Sequence, residues 1–290
     1  MIPKIDPHQH LWDLDIIKLG WQDTAPPKLA RSHLMREYLR ESEGLGIEKT
    51  VYMEVDARDS SLAAEADYVL ALALRDDNPL IGATLGCRPG TSGFREWIER
   101  FKGDARVKGF RQVLHGVTPK GKCLERAFVQ DVRTLGEAGF HFELCLRPDD
   151  LEDGAQLAIE CPDTQFVLDH CGNAPLPEAV SAEPPSCSVD DWKRGIEAAA
   201  AESNMVCKIS GIVAGAKLGV WKAEDLAPAI EFCAEAFGED RVIWASDWPV
   251  CTIAASLRGW VEAAELISSP WGEARQRKLF YANAERFYRL

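Results

Sequence analysis

The stretch Ile5-Asp6-Pro7-His8-Gln9-His10-Leu11-Trp12, continued by Asp13-Leu14-Asp15, reads as a short strand that runs straight into an acidic loop. No glycine follows it. An open, doubly wound sheet that binds a nucleotide normally has a Gly-rich turn there, because backbone N–H groups must approach a phosphate closely. The other architecture built from strand–helix units is the closed barrel, and this start leaves it as the better reading. In an extended chain His8 and His10 lie on one face and Gln9 on the other. Two imidazoles converging from one strand make half of a divalent-metal site, or a pair of polar anchors for a substrate oxygen.

Working outward, short apolar runs alternate with amphipathic stretches along the whole chain. The runs predict strands over 5–10, 50–55, 80–87, 107–113, 141–147, 165–170, 205–210 and 241–246. Helical spacing falls between them, over 35–44, 61–76, 94–101, 123–138, 151–161, 190–203, 223–237 and 257–267. Asp190 and the pair Glu224-Asp225 open two of these helices, where the helix dipole favours negative charge. Near-continuous apolar strands separated by helices predict a parallel sheet covered on its outer face. Eight such units in 290 residues predict one α/β domain over 1–290, a (β/α)8 TIM barrel with its site at the C-terminal ends of the strands. The connections are uneven. The segment 11–33 is long and holds Pro26-Pro27, and 173–188 carries Pro175, Pro177, Pro184 and Pro185. Long loops at one end of a rigid barrel are where binding sites are usually built.

Composition narrows the partners. The formal charge is −13 and no basic cluster is present, which argues against nucleic acid or an anionic membrane surface. Nine cysteines form no CxxC pair, and several sit inside apolar runs, so they read as reduced, mostly buried thiols. Residues 1–6 show no basic segment followed by an apolar one, and no run of 18 apolar residues occurs. These features set the expectation of a cytoplasmic protein acting on a small molecule, with a homo-oligomer left open.

The polar residues at the strand ends carry the chemistry. His8 and His10 close the first strand, Arg111 the fourth and His170 the sixth. Glu143 and Arg147 share a face of the fifth, Lys208 and Ser210 a face of the seventh, and Asp247 follows the eighth. A barrel gathers all these ends at one mouth. Three histidines and an aspartate there suit a mononuclear site, since neutral imidazoles bind zinc and a carboxylate can ligate it or take a proton from water.

With these residues in view, Asp6-Pro7-His8-Gln9-His10-Leu11-Trp12-Asp13 resembles the opening of the amidohydrolase superfamily, in particular the amidohydrolase-2 group of TIM-barrel hydrolases that includes sugar-acid lactonases and 2-pyrone-4,6-dicarboxylate lactonase. The likeness continues through Lys108-Gly109-Phe110-Arg111, Val167-Leu168-Asp169-His170-Cys171-Gly172, Lys208-Ile209-Ser210-Gly211, Trp244-Ala245-Ser246-Asp247-Trp248-Pro249 and Asn283-Ala284-Glu285-Arg286-Phe287-Tyr288. The HxH is unspecific alone; the ordered set is specific. The resemblance implies opening of a sugar-acid or related carboxylated lactone, with Asp247 activating water and His170 beside it. It implies at most one divalent ion on His8, His10, His170 and Asp247, zinc first and manganese second, with metal-free operation also open. It puts Arg111, Lys208, Arg147, Trp12 and His115 among the groups that contact substrate, and Glu143 as the next candidate base. Where relatives often read Gly-x-Arg-His-x-x-Gln, this chain has Gly109-Phe110-Arg111-Gln112-Val113-Leu114-His115, an exchange beside the binding arginine. Two rivals are a metal-dependent decarboxylase of the same superfamily, which would more often carry a ligating acid on the first strand, and a barrel that binds without turnover, which would lack the base or a ligand.

Overall fold

The computed structural model describes residues 2–290. Eight parallel strands follow one another in chain order around the sheet. They are β1 Lys4–Gln9, β2 Ile47–Met53, β3 Leu80–Gly86, β4 Val107–Leu114, β5 His141–Leu146, β6 Phe166–Leu168, β7 Met205–Ile209 and β8 Val242–Trp244. Closure is made just past the strands, where Gln9 pairs with Trp248 and His10 N–H donates to Trp248 O at 2.7 Å. The sheet is therefore a barrel, as the alternation predicts.

Eight helices wrap it, Met35–Ser42, Leu62–Leu72, Phe94–Glu99, Arg126–Glu137, Leu151–Glu160, Val189–Ala201, Ala223–Phe237 and Leu257–Ser268. Asp190-Asp191 and Glu224-Asp225 lie in first turns, as expected, and Ser188 caps the helix that follows it. The main apolar core lies between strands and helices, and a smaller one fills the barrel itself. The inner core is Ile5, Val51, Val167, Val206 and Ile243 with Ala284 and Tyr288. Those last two belong to a C-terminal segment, Glu273–Tyr288, that the hydrophobic spacing did not mark as helical. It plugs the closed end. Among the described residues no helix is long and apolar enough to cross a membrane.

Candidate active site

Above the apolar plug the barrel interior turns charged. Glu143 and Lys208 form a fully buried ion pair, and Lys208 Nζ also lies 3.6 Å from Asp169. A buried ammonium is tolerated only when such partners surround it. Higher up, Arg111 is consumed by the protein. Its Nε donates to Glu54 Oε1 at 2.7 Å, Nη2 to Glu54 O at 2.8 Å and Nη1 to Asp169 Oδ2 at 3.1 Å. Burial pushes the Asp169 carboxyl up, but Lys208 and His8 outweigh it and hold the group well below the usual carboxylate range.

The mouth holds the predicted quartet. The His8 and His10 rings lie 4.9 Å apart, and the His8 and His170 rings 4.6 Å apart, by centroids. Asp247 Oδ1 stands 3.2 Å from His10 Nε2 and 3.5 Å from His8 Nε2. The same-face reading of residues 8 and 10 thus agrees with the geometry. Each group is held from behind. Asp6 accepts from Ser246 N–H at 2.8 Å, from the Ser246 hydroxyl at 2.5 Å and from Tyr38 at 2.7 Å, which ties β1 to the segment presenting Asp247. Burial raises the Asp6 pKa against those bonds. His170 Nδ1 pairs with Ser210 Oγ at 3.0 Å. A Cβ on Gly211 would come within 2.3 Å of that nitrogen, which accounts for the glycine in Lys208-Ile209-Ser210-Gly211. His170 and Asp247 both have left-handed backbones, with φ of 57° and 55°. Such conformations cost roughly 1–3 kcal/mol each in a non-glycine residue and cluster at functional sites.

The donor set suits a cation. Met53 O can only accept, so His10 Nδ1, 3.0 Å away, donates to it and Nε2 is the nitrogen that faces Asp247. The nitrogen and the carboxylate oxygen, 3.2 Å apart, call for a proton or a metal ion between them. His8, His10 and Asp247 form one set of potential ligands, and His8, Asp169 and His170 a second that shares His8. Asp169 Oδ1 is buried without a hydrogen bond, 3.4 Å from His8 Nδ1. It is placed to accept a hydrogen bond from Nδ1–H of a His8 ring whose Nε2 would hold a metal. Burial, and then the charge of Lys208, push the His8 pKa well below normal, so the ring is neutral and available.

The substrate-contact expectations fare differently. His115 is solvent-accessible at the mouth. Desolvation of its ring by the surrounding protein, and then the charges of nearby His170, Arg111 and Arg147, lower its pKa to about 4. Arg147 donates to Asp150 at 2.8 Å and to the carbonyls of Leu114, Gly116 and Thr118, so it shapes the loop after β4. Trp12 is not brought to the mouth. It is 1% exposed, packs on Trp21 and His33, and gives its indole N–H to Arg31 O. Lys208 and Arg111 are buried counter-ions that flank the His8 ring, Lys208 Nζ 3.2 Å from Nδ1 and Arg111 Nη1 3.3 Å from Nε2. Glu143 is fully buried, with its oxygens engaged by Lys208, Tyr288 and Thr84. Asp6, Glu54 and Asp169 were not singled out from sequence as site residues.

Comparison with known proteins fits this geometry. A family model described as Amidohydrolase matches residues 5–290. The chain belongs to the amidohydrolase family. It is 27% identical to an L-fucono-1,5-lactonase of Burkholderia multivorans, over 94% of this chain and 89% of that protein. An L-rhamnono-gamma-lactonase of Scheffersomyces stipitis is 24% identical, over 99% and 98%. A crystal structure of a Burkholderia multivorans amidohydrolase with bound zinc superposes with a TM-score of 0.84 at 22% identity, covering 99% of each chain. The fold of this amidohydrolase is therefore shared along its whole described length.

Proposed function

We propose that this amidohydrolase opens an uncharged sugar lactone by hydrolysis. The observation that carries the reading is the Asp247 carboxylate, 3% exposed and set against the His8 and His10 imidazoles at the barrel mouth. The names of the curated relatives support it. So does the charge balance, because Arg111, Lys208 and Arg147 are each paired with a protein carboxylate. A carboxylated lactone would need one of them free, whereas the hydroxyls of a sugar lactone ask only for neutral donors and acceptors such as His115.

Asp247 accepts the proton of the attacking water as the oxygen adds to the lactone carbonyl. The ring C–O bond then breaks and the departing oxygen must be protonated. His170, anchored through Nδ1 and with no protein partner on its other nitrogen, is placed to assist. A divalent ion held by His8, His10 and Asp247, with His170 alongside, would polarise the carbonyl and acidify the water. The decarboxylase alternative asks for a ligating acid on β1. The acid there is Asp6, which is buried and committed to Ser246 and Tyr38.

Neutral aldonolactones and carboxylated lactones such as a pyrone dicarboxylate can be compared in a pH-indicator assay, since ring opening releases a proton. Turnover of the neutral set is expected. Turnover of carboxylated lactones alone would overturn the charge reading, and loss of carbon dioxide from aromatic acids without lactone opening would overturn the reaction class. For the ion, elemental analysis is expected to find about one divalent metal per chain, with activity lost on chelation and restored by zinc. Full activity in metal-free protein would assign carbonyl polarisation to the imidazoles alone.

A further inference from the structure

We propose that Tyr288, at the closed end of the barrel, is a positioning residue for the site at the open end, acting through Glu143 and Lys208 on the His8 ring. The path is short and wholly buried. The Tyr288 hydroxyl donates to Glu143 Oε1 at 2.9 Å. The same oxygen receives Thr84 Oγ1 at 3.1 Å and faces His141 Nε2 at 3.1 Å. Glu143 Oε2 takes the Lys208 ammonium, and Lys208 Nζ reaches His8 Nδ1 at 3.2 Å. A Cβ at position 109 would strike the His141 ring at 2.3 Å, so the glycine of Lys108-Gly109-Phe110-Arg111 keeps room for this layer. The segment carrying Tyr288 is itself pinned to the barrel, because Asn283 donates to Glu239 O and Val242 O, each at 2.8 Å.

Lys208 is the pivot. Its ammonium is divided between Glu143 below and the His8–Asp169 pair above. His8 Nδ1 has two competing neighbours, the Lys208 donor and the Asp169 acceptor, 3.4 Å away. The more firmly Glu143 holds Lys208, the more freely Nδ1–H turns to Asp169, leaving Nε2 as the acceptor nitrogen, which faces the mouth with Arg111 Nη1 3.3 Å away. Tyr288 strengthens that hold by fixing the Glu143 carboxylate. Without the phenol, Lys208 shifts toward His8 and Asp169, and the ring presents the wrong nitrogen. The motif ending in Tyr288 thus acquires a role at a site it does not touch.

The test is Tyr288→Phe, which removes one hydroxyl and keeps the packing. In metal-free protein labelled with 15N at histidine, the His8 ring shifts are expected to move toward the form protonated on Nε2. Zinc affinity, titrated against a chelator, is expected to fall about 10–100-fold, the range usual for losing a group that orients a metal ligand. Phe287→Leu is the control. Phe287 packs on His141 and Tyr288 but carries no hydrogen bond, so its loss should lower Tm and leave the His8 shifts in place. His8 signals in Tyr288→Phe that match the wild type overturn the proposal. So does an equal change in Phe287→Leu, which would trace the effect to packing. Both readouts are independent of whether a lactone is the substrate.

Discussion

Asp247→Asn is expected to fold, bind product and lose about 10²–10⁴ in kcat, the usual worth of a general base. Asparagine keeps the size and the hydrogen-bonding shape of the side chain but cannot take a proton from water. Its backbone strain, φ 55°, is also better tolerated by asparagine than by most residues, so the fold should survive. The loss should fall on kcat, because the missing interaction forms only as the water is deprotonated, and KM should change little. Asp247 also faces His8 and His10, so metal content must be measured in the same preparation. A folded, normally metallated variant that turned over at near wild-type rate would remove Asp247 from the base role. Glu143 could not replace it, since its oxygens are engaged by Lys208, Tyr288 and Thr84 beneath the site.

The second large effect lies outside the mouth. Glu65 is 1% exposed, and its Oε1 accepts from the Tyr52 hydroxyl at 2.8 Å and from Val55 N–H at 2.9 Å, while Oε2 has no partner. Burial first, and then the charge of Glu54, lift its pKa from 4.5 to about 8. A folded-state pKa above the unfolded one gives stability that is complete below pH 4.5 and is lost as pH rises toward 8. At about 1.36 kcal/mol per pKa unit this penalty is roughly 3 kcal/mol at pH 7. Glu65→Gln keeps the two accepted bonds and has no charge to bury. Thermal melts should therefore show the variant gaining on the wild type by roughly 5–10 °C between pH 4.5 and pH 8. A gap between the two proteins that does not change over this range would mean that Glu65 is already ionised in the fold.

How far the sequence spoke depends on the kind of residue. All eight strands were legible because a parallel barrel strand is apolar on both faces. Its ends were misjudged by a residue or more wherever a functional polar group continues the run, as after Leu168 and Trp244. His8, His10, His170 and Asp247 stood out because they are polar groups at strand ends, and the structure gathers them. Their left-handed backbones at 170 and 247 left no mark in composition. The ion pairs of Arg111 and Lys208 were not legible because their acceptors, Glu54, Asp169 and Glu143, come from other strands, and pairing across a barrel cannot be seen along one chain. A signal for Glu54 did exist, as the one acid in the apolar run Val51-Tyr52-Met53-Glu54-Val55. Asp6 carried none, since a shift in strand register between Asp6 and Gln9 breaks the two-residue spacing and turns Asp6 toward Tyr38 on a surrounding helix. Trp12 misled for the opposite reason, since a conspicuous aromatic in a loop is often there to pack.

The seam between β1 and β8 also sets the order in which the protein can be made. Asp6 and Ser246 stand 240 positions apart, and His10 and Asp247 stand 237 apart. As the chain leaves the ribosome, β1 emerges first and can pair with β2 early, but its other edge waits for the last strand. Until then Asp6 lacks the Ser246 donors and the imidazoles lack their carboxylate. An unpaired edge with buried-type charges behind it is a hazard for association between incomplete chains, and contacts this distant in sequence form late. The seam also means that the reactive constellation exists only in a barrel that has finished closing, so no partly synthesised chain can carry the chemistry.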